Sequence, residues 1–149
     1  GAGYGLGENH VPETHLIPLI LQTALGHRQE IKIFGSDYPT PDGTCVRDYI
    51  HVMGLAKVHL LALEKIEGID KPRVYNVGTG KGNSVKEIIK VVQEVTGKNI
   101  NAVEASPREG DAAFLVADPR KIEQDWGWKA EYEIKDIIKS AWEFHQKKE

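Results

Sequence analysis

Two arginines and an aspartate carry the most specific chemistry in this chain. Arg47 lies in VRDYIHV beside a Pro- and Gly-punctuated loop, and Arg108 and Asp111 lie in PREGD. A guanidinium presents a planar fork of N–H donors that matches phosphate oxygens, and a carboxylate accepts from sugar hydroxyls. Placed opposite one another, the three suit a nucleoside diphosphate. Position alone leaves Arg47 a second reading, an internal ion pair with Asp48 or another carboxylate.

Two other motifs suggest ligands. Gly78-Thr79-Gly80-Lys81-Gly82 sits between a predicted strand and a helix, as a dinucleotide-binding turn would. Asn83 stands where the third glycine belongs, no clear acid follows about 20 residues on, and Lys81 lacks phosphate-loop spacing. A plain strand-to-helix turn is the better reading. The histidines at 10, 15, 27, 51, 59 and 145 do not pair at helix-face spacing beside a cysteine or carboxylate cluster, so no metal site is expected. His15 starts the first predicted helix, where N–H groups favour an anion; an ordinary surface histidine fits that place equally well.

The elements that must position these residues can be read from periodicity. Glu13 to Gly26 predicts an amphipathic helix with Thr14 as N-cap, Pro18 in the first turn and Gly26 as stop. Ile31 to Phe34 predicts a strand, and Pro39, Pro41 and Asp42-Gly43 make the segment to Thr44 a loop. Val46 to Val52 reads as extended. Met53 to Ile66 predicts a helix burying Leu55, Val58, His59, Ala62 and Ile66 and ended by Gly68. A strand follows at Arg73 to Val77. The helix from Val85 to Thr96 carries a capping box, Ser84 with Glu87, and Gly97 closes it. Ile100 to Ala105 and Phe114 to Ala117 predict short strands. Asp118-Pro119 reads as N-cap and first helical residue of a helix stopping by Gly127, and a last helix from about Ile134 buries Ile137, Ile138, Ala141 and Trp142. Strands alternating with about five helices predict a single α/β unit.

Composition narrows the class further. A chain of 149 residues can bury about 68–70% of its unfolded surface without disulfides or metal. Nineteen basic residues interleaved with 22 acidic ones do not make a nucleic-acid footprint. The lone Cys45 points to a reducing, cytoplasmic setting. No apolar run approaches the ~20 residues of a membrane span, and no signal-peptide pattern opens the chain. The start, GAGYGLGENH, lacks an initiator methionine and reads as a chain entered in the middle.

Taken in order, ETHLIPLILQTALG, IFGSDYPTP, DGTCVRDYIHV, YNVGTGKGNSVKEI, PREGD and DWGW resemble the C-terminal half of UDP-glucose 4-epimerase, in the extended short-chain dehydrogenase class. The resemblance implies a C-terminal substrate-binding domain spanning residues 1–149, packed in the whole enzyme against an N-terminal NAD-binding Rossmann domain. It implies UDP-glucose and UDP-galactose as ligands, Arg47 and Arg108 on the pyrophosphate, Asp111 on the ribose, and the backbone around Ile33 and Phe34 on the uracil. Tyr49 would line the same pocket, His15 and Leu16 would come from the first helix, and Leu115 would limit the sugar's bulk. His15 departs from the asparagine of other members.

The whole enzyme would be a homodimer. A Tyr-x-x-x-Lys pair is absent: no lysine stands four residues after Tyr4, Tyr38, Tyr49, Tyr75 or Tyr132. No NAD and no catalytic turnover are therefore expected of this chain alone. The alternatives are a stand-alone nucleotide-sugar-binding module, part of a related UDP-sugar decarboxylase or dehydratase, and an α/β domain without ligand.

Overall fold

The computed structural model describes residues 5–8, 10–67 and 71–147. Five helices and five short strands make up these segments, an α/β architecture as expected. The helix with the strongest start signal, α3 (Val85–Thr96), has its capping box formed, and Gly97 closes it at φ 68°. Helix α1 (Leu16–Ala24) and helix α5 (Ile134–Gln146) pack on α3, and strand β1 (Ile31–Phe34) pairs in parallel with β4 (Ala102–Ala105) beside them. Ile20 and Leu21 of α1, Ile31 and Ile33 of β1, Ile88 and Val92 of α3, and Ile138 and Trp142 of α5 form one buried cluster. Each such side chain contributes about 1.5–3 kcal/mol relative to exposure, which holds α1 and β1 rigidly together.

A second sheet carries the arginine-bearing strand at its centre. Strand β2 (Val46–Asp48) lies between antiparallel β3 (Gly82–Ser84) and parallel β5 (Phe114–Leu115). Helix α2 (Val52–Lys65) and helix α4 (Arg120–Trp126) meet around Val58, Ile122 and Trp128.

Several boundaries differ from the sequence reading, each for a local reason. Helix α1 begins at Leu16 with His15, not Thr14, as its N-cap, because the Glu13 carboxylate takes the N–H groups of both Thr14 and His15 at 2.8 Å. Val52 belongs to α2 rather than to an extended segment, since His51 accepts the Met53 N–H at 3.0 Å and turns the chain. Its expected stop, Gly68, lies outside the described residues, as do Tyr4 and half of the opening Gly-rich stretch. Pro119 takes the N-cap place of α4, one residue later than expected, while Asp118 still accepts the Arg120 N–H at 3.1 Å.

The expected strand at 73–77 forms no ladder among the described residues; pairing occurs instead at Gly82–Ser84. Helix α2 also departs from its expected face. Gly54 and Val58 are buried, but Leu55, His59 and Ile66 are exposed, so the apolar stripe they form looks outward.

Candidate functional site

The second sheet and the β1–β4 pair meet at a groove of about 350 Å³ whose walls include Leu16, Phe34, Arg47, Tyr49, Arg108 and Asp111. Six of the nine residues that the resemblance implied therefore face one space. Arg47 projects from the central strand of the sheet and is held by two carbonyls: its Nη1 donates to Val46 at 2.8 Å and to Ala112 at 2.7 Å. Its Nη2 lies 3.5 Å from Asp111 Oδ1, so the two stretches touch directly. Both side chains stay partly open, at 25% and 34% exposure, so the loosely held Nη2 group can still meet a ligand. Arg108 stacks over the Phe34 ring with its guanidinium carbon 3.9 Å from the centroid. Such stacking orients the guanidinium while leaving its N–H edges free.

Three implied residues stand differently. Ile33 is buried in the core, so only its backbone could reach a ligand. His15 is outside the groove: its Nδ1 is held by Glu13 at 2.8 Å while its neighbours Thr14 and Leu16 line the wall. Leu115 is 65% exposed on β5, directly across the ladder from Arg47, but does not line the groove.

Tyr49 lines the groove with a phenol pushed up to about 12, chiefly by burial, with Arg47 opposing. It stays protonated at neutral pH, a state that can donate a hydrogen bond but cannot take a proton as a base.

The Arg47–Asp48 ion pair is overturned by the geometry. Asp48 points to the opposite side of the sheet, where its carboxylate accepts from the Thr79 N–H at 3.0 Å, the Gly80 N–H at 3.0 Å, the Ala117 N–H at 3.4 Å and the Thr79 hydroxyl. The Gly-rich turn is thus an anion cradle, and its anion is a side chain of the same protein. Gly78 is required there, because a Cβ would stand 2.5 Å from Ala117 and 2.6 Å from Asp48 Oδ2. These donors are committed, so the turn does not fit a dinucleotide pyrophosphate, in agreement with its incomplete fingerprint. The only sequence signal for Asp48 was its place between two glycine-punctuated segments.

Asp42 was also missed. Its carboxylate accepts the Thr44 N–H at 2.9 Å, the Thr44 hydroxyl at 2.7 Å and the Ser84 hydroxyl, tying the loop before Cys45 to the start of α3. Burial pushes the acid up, but the hydrogen bonds from Ser84 and Thr44 and the charge of Lys86 outweigh it and hold it below the usual aspartate range. A depressed folded value means stability that is present above the unfolded pKa and lost as the pH falls through the folded one. Asp42→Asn is expected to lower the urea midpoint at pH 7, with the gap to the parent closing as the pH drops below about 4. A gap that persists at pH 2 would show that charge is not what Asp42 supplies.

The histidine spacing gave no reason to expect a metal site, yet Glu8, His10 and His15 converge in space, their ligand atoms within 4.8 Å of one another. All three are exposed. No described helix is long and apolar enough to cross a membrane.

The α/β scaffold that carries this groove and its paired arginines belongs to a known class. The GDP-mannose 4,6 dehydratase family matches residues 4–141, and the chain belongs to that family, within the extended short-chain dehydrogenases. Among its relatives are UDP-glucose 4-epimerases. That of Corynebacterium glutamicum is 50% identical over 145 residues, covering 97% of this chain and 44% of the relative. A solved UDP-glucose 4-epimerase superposes with TM-score 0.90 at 52% identity, covering 95% of this chain and 44% of that one. Another, from Stenotrophomonas maltophila with bound NAD and formylated UDP-arabinopyranose, gives TM-score 0.90 at 37% identity over 95% of this chain and 42% of that one. The chain spans less than half the length of these relatives.

Proposed function

We propose that this chain is the UDP-sugar-binding, C-terminal portion of a UDP-glucose 4-epimerase that interconverts UDP-glucose and UDP-galactose in galactose metabolism. The observation that carries it is the convergence of Arg47, Arg108 and Asp111, distant in sequence, on one groove. Arg47 and Arg108 grip the diphosphate, Asp111 takes the ribose, and the backbone at Ile33 and Phe34 with the Phe34 ring holds the base. Tyr49 and Leu16 close the wall. Leu115 stands beside Arg47 across the ladder, where it limits the bulk of the sugar, and His15 orders the start of α1 through Glu13.

The reaction inverts carbon 4 through a 4-keto intermediate, and the sugar must turn over between the two half-reactions. A nucleotide gripped strongly at its phosphates and a sugar held loosely meet that requirement. NAD and the catalytic base belong to an N-terminal Rossmann domain outside this chain. Helix α2 and the segment at 73–77 support the two-domain reading. Val52, Leu60, Leu63 and Ile66 are each more than half exposed on α2, and Val74 is 77% exposed. A helix apolar on both sides belongs between two layers, and an exposed apolar side chain beside it extends the face such a layer would cover. The whole enzyme works as a cytoplasmic homodimer.

A chimera in which this chain replaces the corresponding region of the Corynebacterium glutamicum epimerase is expected to interconvert UDP-glucose and UDP-galactose. The 149 residues alone are expected to show no turnover. Activity from the chain by itself would sink the two-domain reading, and a folded but inactive chimera would sink the epimerase assignment.

A further inference from the structure

Four cationic side chains line the groove, and two of them stand apart from the diphosphate grip of Arg47 and Arg108. Arg28 lies in the connection from α1 to β1, and Lys32 is the outward-facing second residue of β1. Both line the same space as Arg47 and Arg108, both are exposed, and neither forms an ion pair among the described residues. The two carboxylates on the walls are already engaged: Glu13 holds the His15 ring and N–H, and Asp111 lies against Arg47. The charge of Arg28 and Lys32 is therefore not neutralised within the groove.

Arg47 differs from these two in kind. It is fixed by two carbonyls and sits on the central strand, so it can seat a phosphate at a defined position. Arg28 and Lys32 have no such anchors. Long, hydrated, unanchored cations at a rim act through their field, raising the local concentration of an anion and its rate of arrival.

We propose that Arg28 and Lys32 form an outer cationic rim that captures the diphosphate of an incoming nucleotide and passes it to Arg47 and Arg108. The proposal rests on the reading of the groove as a nucleoside-diphosphate site. It adds a division of labour: two anchored guanidiniums for position and two unanchored cations for capture.

Field and contact separate by their salt dependence. The screening length is about 30 Å at 10 mM salt and about 3 Å at 1 M. Titration of the 149-residue chain with UDP, followed by NMR, compares the parent with Arg28→Gln/Lys32→Gln, with Arg28→Lys, with Arg47→Ala and with uridine in place of UDP. The double variant is expected to bind UDP about tenfold more weakly at 10 mM salt and within about twofold of the parent at 1 M. Uridine binding should be unchanged, and Arg28→Lys should keep the parent's affinity because it keeps the charge.

The rim is refuted if the double variant matches the parent at low salt, if its deficit persists at 1 M, or if uridine binding falls with it. In each of those cases a loss on Arg47→Ala leaves the groove itself intact. If the parent binds no UDP, or Arg47→Ala leaves its affinity unchanged, the underlying reading of the site falls and the rim falls with it.

Discussion

Arg47→Ala is expected to weaken UDP binding by roughly 10- to 150-fold while leaving uridine binding within about twofold of the parent. The range corresponds to ~1.5–3 kcal/mol for one charge-assisted hydrogen-bonding group, at 1.4 kcal/mol per factor of ten. Arg47 stands on the middle strand of its sheet, donates to Val46 and Ala112, and keeps a quarter of its side chain open to the groove. Only the phosphates of the ligand meet its charge in the proposed pose, so a ligand without them should not register the loss.

The same substitution also releases the Ala112 carbonyl and leaves Asp111 without its nearby cation. Calorimetry with UDP and uridine should therefore be paired with a urea melt. Arg47→Lys provides the sharper comparison: it keeps the charge but not the planar fork, and is expected to recover part of the affinity. Equal losses for UDP and uridine would mean that Arg47 organises the loop and does not bind phosphate.

The second large effect is one of stability. Asp48→Ala removes the acceptor of the Thr79, Gly80 and Ala117 N–H groups and of the Thr79 hydroxyl at once. The Gly80 N–H lies in an exposed turn and can turn to water; the part-buried Thr79 and Ala117 donors cannot fully do so. A cost of about 2–4 kcal/mol follows from unsatisfied donors at ~1–3 kcal/mol each. Read by urea denaturation, it should appear as a lower midpoint with little change in slope. Asp48→Asn keeps one carbonyl oxygen and should fall between parent and alanine. An unchanged midpoint for Asp48→Ala would show that the turn holds its shape without an anion. Because Asp48 adjoins Arg47 on β2 and bonds Ala117 just beyond β5, its loss is also expected to loosen the arginine indirectly.

The two effects show how the carboxylate and the guanidinium of one dipeptide divide their work. An ion pair between Arg47 and Asp48 was open on sequence grounds, yet in a strand successive side chains leave on opposite faces. Once 46–48 is a strand, the pair cannot form: Arg47 goes to the groove and Asp48 to the Gly-rich turn. The glycines there resembled a dinucleotide motif because the physical task is the same, presenting N–H groups to an anion. What the spacing could not say is that the anion is internal.

Much of the framework was legible because its signals are local. The Ser84–Glu87 capping box, Gly97 as a left-handed stop, the strand at Ile31–Phe34 and the stop at Gly127 depend on residues within a turn of one another, and all are present. The start of α1 and the partnering of 73–77 were not legible. The first turned on the Glu13 carboxylate competing for the cap donors, and the second on non-local pairing, which 73–77 does not make among the described residues. Helix α2 was recognised, but its buried face was taken from a periodicity that fits either side of an apolar helix.

By itself, the sequence determined which groups are available: two guanidinium forks, an acid, a capped helix and a strand ending in Phe34, with types that suit a phosphorylated sugar nucleotide. It could not decide which of them meet. Arg47 and Asp111 are 64 residues apart in the chain and 3.5 Å apart in space, and β2, pairing with β5, brings them together. Ladder pairing and burial are cooperative and non-local, so they also chose the face of each strand. That choice put Arg47 in the groove with Arg108 and turned Asp48 to its cradle.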